Sequence, residues 1–354
     1  MRNLPAGLLL VFIFLNTLVF DAKGCTTFCM KDNNGHLIFG RNFDFPSGLG
    51  YVEINHRSQL KTAFVTPPEK PFSWISKYGS ISFNQIGREF PYGGMNEAGL
   101  VIEQMWLQEA KYPEMDDRKA LTELQWIQYQ LDNAASVDEV IASESWLRIS
   151  FTSTAPLHFL IADSSGKVAT IEFMEGKMKV HTGTTLPHPV LANCMYETSL
   201  DYKLKKENGN TESFAKWTEN SSGRFKIAAD MIGSWTPEKG QLVDYGFSVL
   251  AQVAQGDATQ WSIIYDISEM KIHFRTNSNP TIRSVNFRDF DYTCNSNALR
   301  LDINSNQTSL FSPADYSGSY KLISDVCNKV EFLKGLPEVA RIATARFGLD
   351  IKCE

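Results

Sequence analysis

The sequence predicts an α+β fold, because strand-like and helix-like segments are grouped along the chain instead of alternating. Strand patterns begin after Cys25, helical patterns begin near residue 121, and strands and helices then recur in separate groups down to a helical tail. The composition, with 43% hydrophobic and 21% charged residues, is that of an ordinary globular protein. Since no linker, internal repeat or low-complexity stretch interrupts residues 25–354, they are expected to form a single domain.

The first element of that domain is a predicted β-hairpin. Residues 26–30 are β-prone, Asn34 and Gly35 form a tight-turn dipeptide, and residues 36–39 resume an apolar strand. Cys25 therefore comes directly before a paired strand, and such a strand end holds a reactive side chain in a fixed position.

The other predicted elements follow from hydrophobic periodicity and turn residues. A β region covers residues 81–104. Apolar residues that recur every three or four positions indicate a helix, and they are Leu121, Leu124, Ile127 and Leu131. Ser136 and Glu139 form a capping-box pattern at the start of a second helix. The rest are a β-meander over 157–193, helices over 224–232 and 245–253, a hairpin of 261–265 with 271–274, and a helical tail over 317–347.

The first 24 residues have the layout of a secretory signal peptide. Its parts are Arg2 in the positive region, an apolar run over 8–20, and Ala22 and Gly24 at the −3 and −1 positions. The run is too short for a convincing membrane span, so we expect residues 1–24 to be removed and the rest to be exported to the periplasm or the medium. Cys25 would then begin the mature chain. Its acylation in a lipoprotein is the alternative, although Lys23 fits a lipobox poorly.

Charge and cysteine content narrow the classes of function. The net charge is −6, with 34 basic and 40 acidic residues, and no basic block indicates a nucleic-acid partner. Disulfides are permitted in an exported chain, but the irregular spacing of the cysteines leaves their pairing open. They are Cys25, Cys29, Cys194, Cys294, Cys327 and Cys353. Cys29 and Cys194 stand in apolar contexts that predict burial. Neither C-x-x-C nor H-E-x-x-H occurs, so no metal or other cofactor is expected.

A free cysteine at the start of a chain carries both a nucleophile and a base. Its thiol must lose a proton to attack a carbonyl group, and an α-amine with a pKa of about 7.7–8.0 can accept that proton. No histidine pairs with a cysteine by sequence pattern. This argues against a papain-like protease, the other enzyme class considered for a cysteine nucleophile.

Five motifs in order along the chain, the first of them in two parts, resemble the choloylglycine hydrolase family, which holds bile salt hydrolases and penicillin V acylases. They are the opening pair CTT at 25–27 and GRNFD at 40–44, then GMNEAGL at 94–100, VLAN at 190–193, SGRF at 222–225 and TQWSIIYD at 259–266. The resemblance extends over residues 25–290 or so. It implies an N-terminal nucleophile hydrolase with a four-layer αββα sandwich that cleaves the linear amide C–N bond of a small N-acyl compound.

The resemblance also implies roles for five residues. Cys25 is the nucleophile with its own α-amine as base, and Arg41, a permanent cation, lies near the thiol and favours the thiolate. Asp44 hydrogen-bonds the α-amine, Asn193 donates its side-chain amide to the oxyanion, and Arg224 completes a charged network around the amine.

Trp106 departs from the bile salt hydrolase pattern. A gap-free count from the motif at 94–100 places it where the family has a second polar oxyanion residue, and tryptophan has no side-chain amide to donate, although its backbone N–H could. The departure favours penicillin V or an acyl-homoserine lactone over a conjugated bile acid. The stretch between Asn193 and Arg224 is shorter than in bile salt hydrolases, where an insertion helps tetramers form, so a homotetramer is only one of the assemblies open to this chain.

Each assignment has an alternative. They are a disulfide for Cys25, a structural ion pair for Arg41 with Asp44, a turn for Asn193 and a solvated helix position for Arg224. The alternative function is that of a catalytically inactive ligand-binding or lipid-anchored protein of the same fold. Aromatic residues that could line an apolar acyl pocket are Phe45, Trp74, Trp106 and Trp126.

Overall fold

The computed structural model describes residues 24–349 and 352–354, so the predicted signal peptide, apart from Gly24, lies outside the described residues. The strands before the first helix are β1 (Thr26–Lys31), β2 (Leu37–Asp44), β3 (Tyr51–Asn55), β4 (Gln59–Thr62), β5 (Ser73–Ile75), β6 (Ser80–Asn84), β7 (Pro91–Asn96), β8 (Val101–Trp106) and β9 (Lys119–Leu121). The later strands are β10 (Leu147–Ile149), β11 (Leu157–Ala162), β12 (Val168–Met174), β13 (Lys177–Thr182), β14 (Val190–Leu191), β15 (Thr259–Asp266), β16 (Lys271–Thr276), β17 (Arg283–Asn286), β18 (Leu299–Asp302), β19 (Ser312–Pro313) and β20 (Lys352–Cys353). The helices are α1 (Glu123–Asn133), α2 (Val137–Ala142), α3 (Tyr196–Glu207), α4 (Lys216–Gly233), α5 (Leu242–Gln252), α6 (Tyr316–Lys329) and α7 (Glu338–Arg346).

The predicted hairpin after Cys25 is confirmed. Strand β2 pairs antiparallel with the whole of β1. The turn is held by the Asp32 carboxylate, which accepts bonds from the backbone N–H groups of Asn34 and His36 at 2.8 and 2.7 Å. Gly35 has a φ of +90°, a left-handed conformation that glycine adopts without the usual steric cost.

Two antiparallel sheets face each other. The six-stranded sheet has the order β14-β1-β2-β15-β16-β17, and the nine-stranded sheet has the order β13-β12-β11-β8-β7-β6-β3-β18-β19. Phe83 of the larger sheet contacts both Trp261 and Tyr265 of the smaller one, with ring centroids 6.4 and 6.0 Å apart. These rings are fully buried, and burial of one such side chain stabilises a fold by about 1.5–3 kcal/mol. The main core therefore lies between the sheets.

Helices cover the outer faces of both sheets, which gives the four layers of an αββα sandwich. Helix α1 packs on β7 of the nine-stranded sheet, while α4 and α5 pack on β1, β2 and β15 of the six-stranded sheet. The close approach of α5 depends on Gly246, where a Cβ atom would lie 2.8 Å from Ile38 and 3.0 Å from Ile264. The predicted α+β class and the sandwich architecture are confirmed.

The first two predicted helices form, with one change at a cap. Helix α1 starts after Thr122, whose side chain accepts a bond from the Gln125 N–H. At α2 the Ser136 hydroxyl accepts a bond from the Glu139 N–H at 3.2 Å, as a capping box requires. The Glu139 carboxylate accepts from the N–H of Ala135, one residue before the cap, so the reciprocal half of the box is shifted.

The predicted helical tail is confirmed as α6 and α7, which are separated by a short 3-10 turn at Glu331–Leu333. The chain ends in β20, which pairs with β4, and Cys353 of β20 forms a disulfide with Cys294. The free cysteines are all buried and are Cys25, Cys29, Cys194 and Cys327. Within residues 24–349 and 352–354, no helix combines the length and apolarity that a bilayer crossing requires.

Candidate active site

Cys25 lies directly before β1, where the two sheets face each other, and is 7% exposed. Its Sγ atom is 3.9 Å from Nη2 of Arg41 and 3.9 Å from the backbone oxygen of Asp44. Both residues lie on β2, and the pairing of β1 with β2 brings them to the thiol. Two of the residues singled out from the sequence therefore contact Sγ.

Arg41 is fully buried, and its charge is balanced by a carboxylate that sequence reasoning missed. Nη1 of Arg41 donates to the Glu103 carboxylate and, at 3.1 Å, to the backbone oxygen of Tyr92. The Tyr265 hydroxyl donates to the other oxygen of Glu103. Glu103 lies in β8, whose sequence is VIEQMW, and an acidic residue inside so apolar a strand needs a buried cation. An acidic residue in an apolar strand is therefore the sequence feature that could have identified Glu103.

Burial opposes ionisation at both the thiol and this carboxylate. Burial raises the pKa of the Cys25 thiol above its ordinary value, and the Arg41 charge only partly offsets the effect. Burial also raises the pKa of Glu103 to about 7, against the opposing charge of Arg41 and the hydrogen bond from Tyr265. Arg41 therefore favours the thiolate, but burial dominates, and ionisation of the thiol needs a base.

Asp44 is held at the end of β2 by two side chains from the segment that enters β15. Gln255 Nε2 donates to its carboxylate at 2.8 Å, and the Thr259 hydroxyl donates to the other oxygen. Burial raises the pKa of Asp44, while these two bonds and the charge of Arg224 oppose the shift. Gln255 Nε2 also donates to the backbone oxygen of Gly24 at 2.7 Å. Gln255 was missed because it lies outside every recognised motif.

Asn193 follows β14 and is fully buried. Its Nδ2 atom donates to the backbone oxygen of Trp106 at 2.8 Å, and its backbone N–H donates to the Ser221 hydroxyl at 2.8 Å. The indole N–H of Trp106 donates instead to Gln108 at 3.1 Å. Trp106 thus contributes its backbone oxygen as an acceptor. One N–H of the Asn193 amide donates to that oxygen, and the same amide nitrogen carries a second N–H.

Arg224 reaches from α4 to the backbone of Cys25. Its Nη1 atom donates to the Cys25 backbone oxygen at 2.6 Å and to the Thr26 hydroxyl at 2.5 Å. Its Nη2 atom donates to Oδ1 of Asn193 at 3.2 Å. Burial lowers the pKa of Arg224, and the charge of Asp44 opposes that shift. The alternative of a solvated arginine is wrong, because the side chain is 5% exposed.

Gly24 fits tightly between Asn193 and Arg224. A Cβ atom at this position would lie 2.0 Å from Oδ1 of Asn193 and 3.0 Å from Nη2 of Arg224. A larger residue would therefore force these side chains to move. The residue that precedes Cys25 occupies the space next to the Asn193 amide.

The thiol contacts described above involve an arginine and a backbone oxygen. The fully buried His158 instead bonds Glu172 at 3.1 Å and the backbone oxygen of Ala192 at 2.7 Å. In the described part of the chain, no bond between the Cys25 thiol and a histidine is found, so the papain-like alternative gains no support.

Two of the four aromatic residues expected around an acyl pocket have structural partners elsewhere. Trp74 donates its indole N–H to Asp132 at 2.7 Å, and Trp126 packs against Phe159 in a tilted arrangement with ring centroids 4.7 Å apart. Both belong to the core around α1, so their assignment to an acyl pocket is wrong. Phe45 directly follows the carbonyl group that faces the thiol, and it remains near the site.

A cavity of about 590 Å³ lies away from these residues. It is lined by the β1–β2 turn, the start of α5 and residues of β16 and β17. Its lining includes none of the sequence-derived candidates, which are Cys25, Arg41, Asp44, Trp106, Asn193 and Arg224. Those six converge instead around one enclosed thiol.

Comparison with known proteins gives the family. A family model described as linear amide C–N hydrolases, choloylglycine hydrolase family, matches residues 25–242. The curated penicillin V acylase from Pectobacterium atrosepticum is 26% identical over 291 residues, which are 70% of this chain and 76% of that protein.

Solved structures share the fold. The structure of penicillin V acylase from Agrobacterium tumefaciens matches with a TM-score of 0.67 at 23% identity, over 82% of this chain and 98% of that one. A variant of conjugated bile acid hydrolase from Clostridium perfringens matches with a TM-score of 0.63 at 17% identity, over 80% of this chain and 98% of that one. The family match spans more than half of the sequence and begins at Cys25. The chain therefore belongs to the choloylglycine hydrolase family of linear amide C–N hydrolases.

Proposed function

We propose that the protein is an amidohydrolase that cleaves small N-acyl compounds, with Cys25 as the nucleophile and its own α-amine as the base. One observation carries the proposal. In a chain of this hydrolase family, Arg41 lies 3.9 Å from Sγ of Cys25, and Arg224 holds the backbone oxygen of the same residue at 2.6 Å. The buried charges are thus arranged around a residue that can act as a nucleophile.

The proposed mechanism requires removal of residues 1–24. In the described chain the nitrogen of Cys25 is bonded to Gly24, which fills the space beside Asn193. Release of the segment creates an amine whose ordinary pKa of about 7.7–8.0 suits a base near neutral pH. It also empties the space beside Oδ1 of Asn193 that Gly24 fills.

We propose export to the periplasm or the medium as the route to this cleavage. The signal-peptide pattern ahead of Cys25 supports it. The Cys294–Cys353 disulfide supports it independently, because disulfides persist mainly in oxidising compartments.

The first half of the reaction is attack on the acyl carbon. The α-amine takes the thiol proton as Sγ of Cys25 bonds the carbonyl carbon and the carbonyl π electrons move to oxygen. Burial keeps the resting thiol protonated, so this base is needed, and Arg41 stabilises the negative charge on sulfur. The second N–H of the Asn193 amide donates to the oxyanion, and one such donor contributes about 10²–10³ in rate.

The second half releases both products. The tetrahedral intermediate collapses, the C–N bond breaks, and the leaving amine takes the proton from the α-ammonium group, which leaves a thioester on Cys25. The α-amine then deprotonates water, which attacks the thioester, and the carboxylic acid departs as the thiol regains its proton. Asp44 and Gln255 hold the region of the amine in place through their mutual bond of 2.8 Å.

The proposed substrate has an apolar acyl half. Phe45, which follows the carbonyl group that faces the thiol, supports an aromatic or alkyl acyl group. Trp106 has no side-chain amide for the oxyanion position that is polar in bile salt hydrolases. We favour a phenoxyacetyl amide such as penicillin V, or an acyl-homoserine lactone, over a conjugated bile acid. Similarity to two penicillin V acylases supports this choice.

The test combines the mass of the N-terminal peptide of the exported protein with turnover of these three substrate types. We expect a peptide that begins at Cys25 with an unmodified amine, and release of free amine from penicillin V or an acyl-homoserine lactone. An acylated Cys25, or a chain that starts elsewhere, would remove the base and end the proposal. A free Cys25 that reacts with iodoacetamide, in a protein that hydrolyses no amide, would favour the inactive ligand-binding alternative.

A further inference from the structure

The last helices of the chain form a small unit that docks beside the active site. We call residues 316–349 the C-terminal cap; it contains α6, the 3-10 turn and α7. The cap has a buried cluster of its own, formed by Ile323, Cys327 and Ala345. The cap therefore packs internally, and its outer side chains contact the rest of the molecule.

One end of the cap is anchored away from the thiol. Phe347, directly after α7, packs against Phe64 and Phe90 with ring centroids 4.9 and 5.5 Å apart. Beyond it, Cys353 is joined to Cys294 by the disulfide. These contacts fix where the cap lies on the sandwich.

The 3-10 turn of the cap contacts an aromatic cluster. Phe332 meets Phe45 edge to face, with centroids 6.1 Å apart. Phe45 in turn stacks on Phe43 at 5.1 Å and meets Tyr92 at 6.1 Å. Phe43 and Tyr92 are buried, whereas Phe45 and Phe332 are half-buried, so the latter two form the solvent-facing rim of the cluster.

This cluster adjoins the backbone carbonyl group that faces the Cys25 thiol. Sγ of Cys25 lies 3.9 Å from the backbone oxygen of Asp44, and Phe45 is the next residue. The backbone oxygen of Tyr92 accepts a bond from Arg41, whose other terminal nitrogen is 3.9 Å from the same sulfur. An acyl group that extends from the sulfur toward the cluster meets Phe45 first and the cap next.

We infer that Phe332 is a specificity-determining residue that contacts the acyl half of the substrate and favours aromatic acyl groups. The inference rests on the proposed amidase function. A substrate ring that packs at this rim, against both Phe45 and Phe332, makes aromatic contacts with each of them, which a short alkyl group cannot make. The family match ends at residue 242, before the cap, so this determinant lies outside the matched region.

The test uses two amides with the same amine half, one phenoxyacetyl and one acetyl. Phe332→Ala is expected to lower kcat/KM for the phenoxyacetyl amide about tenfold and to leave the acetyl amide within about twofold. Phe332→Leu, which keeps apolar bulk without a ring, should lie between and guards against misfolding of the alanine variant. Phe347→Ala is the matched control: it removes the same ring from the anchored end, and should lower Tm without changing the ratio of the two kcat/KM values.

An unchanged ratio in Phe332→Ala, or an equal change of the ratio in Phe347→Ala, overturns the inference. Binding separates its failure from failure of the proposed function. Calorimetry would compare the affinity for phenoxyacetate of mature Cys25→Ala protein with and without Phe332→Ala. Weaker binding in the double variant supports a role of Phe332 in acyl recognition even in a protein that hydrolyses neither amide, whereas equal affinity or no binding in either protein overturns it.

Discussion

Among the buried charge networks of the described residues, the one around Arg41 adjoins a candidate nucleophile, whereas the one around Lys61 does not. In the first, Arg41 pairs with Glu103 between the two sheets, next to the thiol. In the second, Lys61 lies 3.0 Å from Asp132 and 3.1 Å from Glu89, with all three side chains buried. In both networks, a buried cation forms an ion pair with a carboxylate from an element that is distant in sequence.

The two networks change the pKa of their carboxyl groups in the same direction. Burial raises the pKa of Glu103 to about 7 and that of Asp132 to about 6. The neighbours of Asp132 are structural: Trp74 and Gln128 donate to it at 2.7 and 2.8 Å. A raised carboxyl pKa therefore does not by itself mark an active site. The candidate nucleophile beside the pair is what distinguishes the first network.

The largest expected difference between the networks concerns turnover. Cys25→Ala should reduce kcat by at least about 10³-fold with little change in the free energy of unfolding, because the thioester cannot form. Lys61→Met should leave kcat per folded molecule unchanged and lower the free energy of unfolding by about 3–5 kcal/mol, because two buried carboxylates lose their cation. Steady-state kinetics and urea unfolding of both variants check this. Turnover near the wild-type rate in Cys25→Ala would contradict the role of Cys25 as the nucleophile.

The second difference concerns two buried amide side chains. Asn193→Ala should lower kcat by about 10²–10³-fold, because the oxyanion loses a donor. Gln128→Ala removes a donor to buried Asp132, and should cost about 1–3 kcal/mol of stability with kcat unchanged. If the two variants have equal kcat after correction for the folded fraction, Asn193 has only a structural role.

The third difference concerns the acidity of the thiol. Glu103→Gln removes the negative charge that pairs with Arg41, so Arg41 should stabilise the Cys25 thiolate more strongly and the thiol pKa should fall. The pH dependence of alkylation by iodoacetamide should then shift to lower pH. Asp132→Asn, the matched change in the other network, should leave that profile in place. A shift of equal size in both variants would show a general effect of buried charge.

The smallest difference concerns stability against pH. The folded pKa of Glu103 is about 7 against an ordinary value of 4.5, so the folded state keeps a proton that the unfolded chain has released. Stability should therefore fall as pH rises from 4.5 to 7, by up to about 1.4 kcal/mol per pH unit for this group. Asp132 should contribute the same trend between 3.8 and 6.

Urea unfolding of the mature chain at several pH values checks that sign. Glu103→Gln should flatten the curve most between pH 6 and 7, where Asp132 has already ionised, and Asp132→Asn should flatten it at lower pH. A curve that both variants leave unchanged would mean that these carboxyl groups ionise at their ordinary pKa values.

Much of the fold was open to prediction because local patterns and tertiary structure agree. The hairpin after Cys25 has a turn dipeptide and apolar flanks, and the helix near Ile127 has an uninterrupted period, so local preference and burial favour the same element. The candidate residues could be found because their motifs occur in order, although the sequence does not show that Arg224 bonds the backbone of Cys25.

What could not be predicted depends on distant pairing. The sequence does not distinguish Trp74 and Trp126, which belong to the core, from aromatic residues of a pocket, because an aromatic side chain does not reveal which face of its element it covers. Glu103 reaches the site from the facing sheet, and Gln255 reaches it from the loop before β15. No sequence spacing predicts that either residue lies close to Cys25. The partner of Cys353 is likewise decided by where the last strand pairs.

The bonds from Arg224 to Cys25 and Thr26 bear on how a chain end behaves. The first residues of a folded chain ordinarily fray, and their side chains sample many positions. A nucleophile on residue one would share that fraying, and each displacement of the sulfur would lengthen the path to a bound carbonyl carbon. If the chain begins at Cys25 as proposed, the guanidinium on α4 prevents this by fastening the terminal residue to a helix. Arg224→Lys, with one ammonium in place of a planar fork, would then slow the enzyme by loosening its chain end while leaving every acid and base in place.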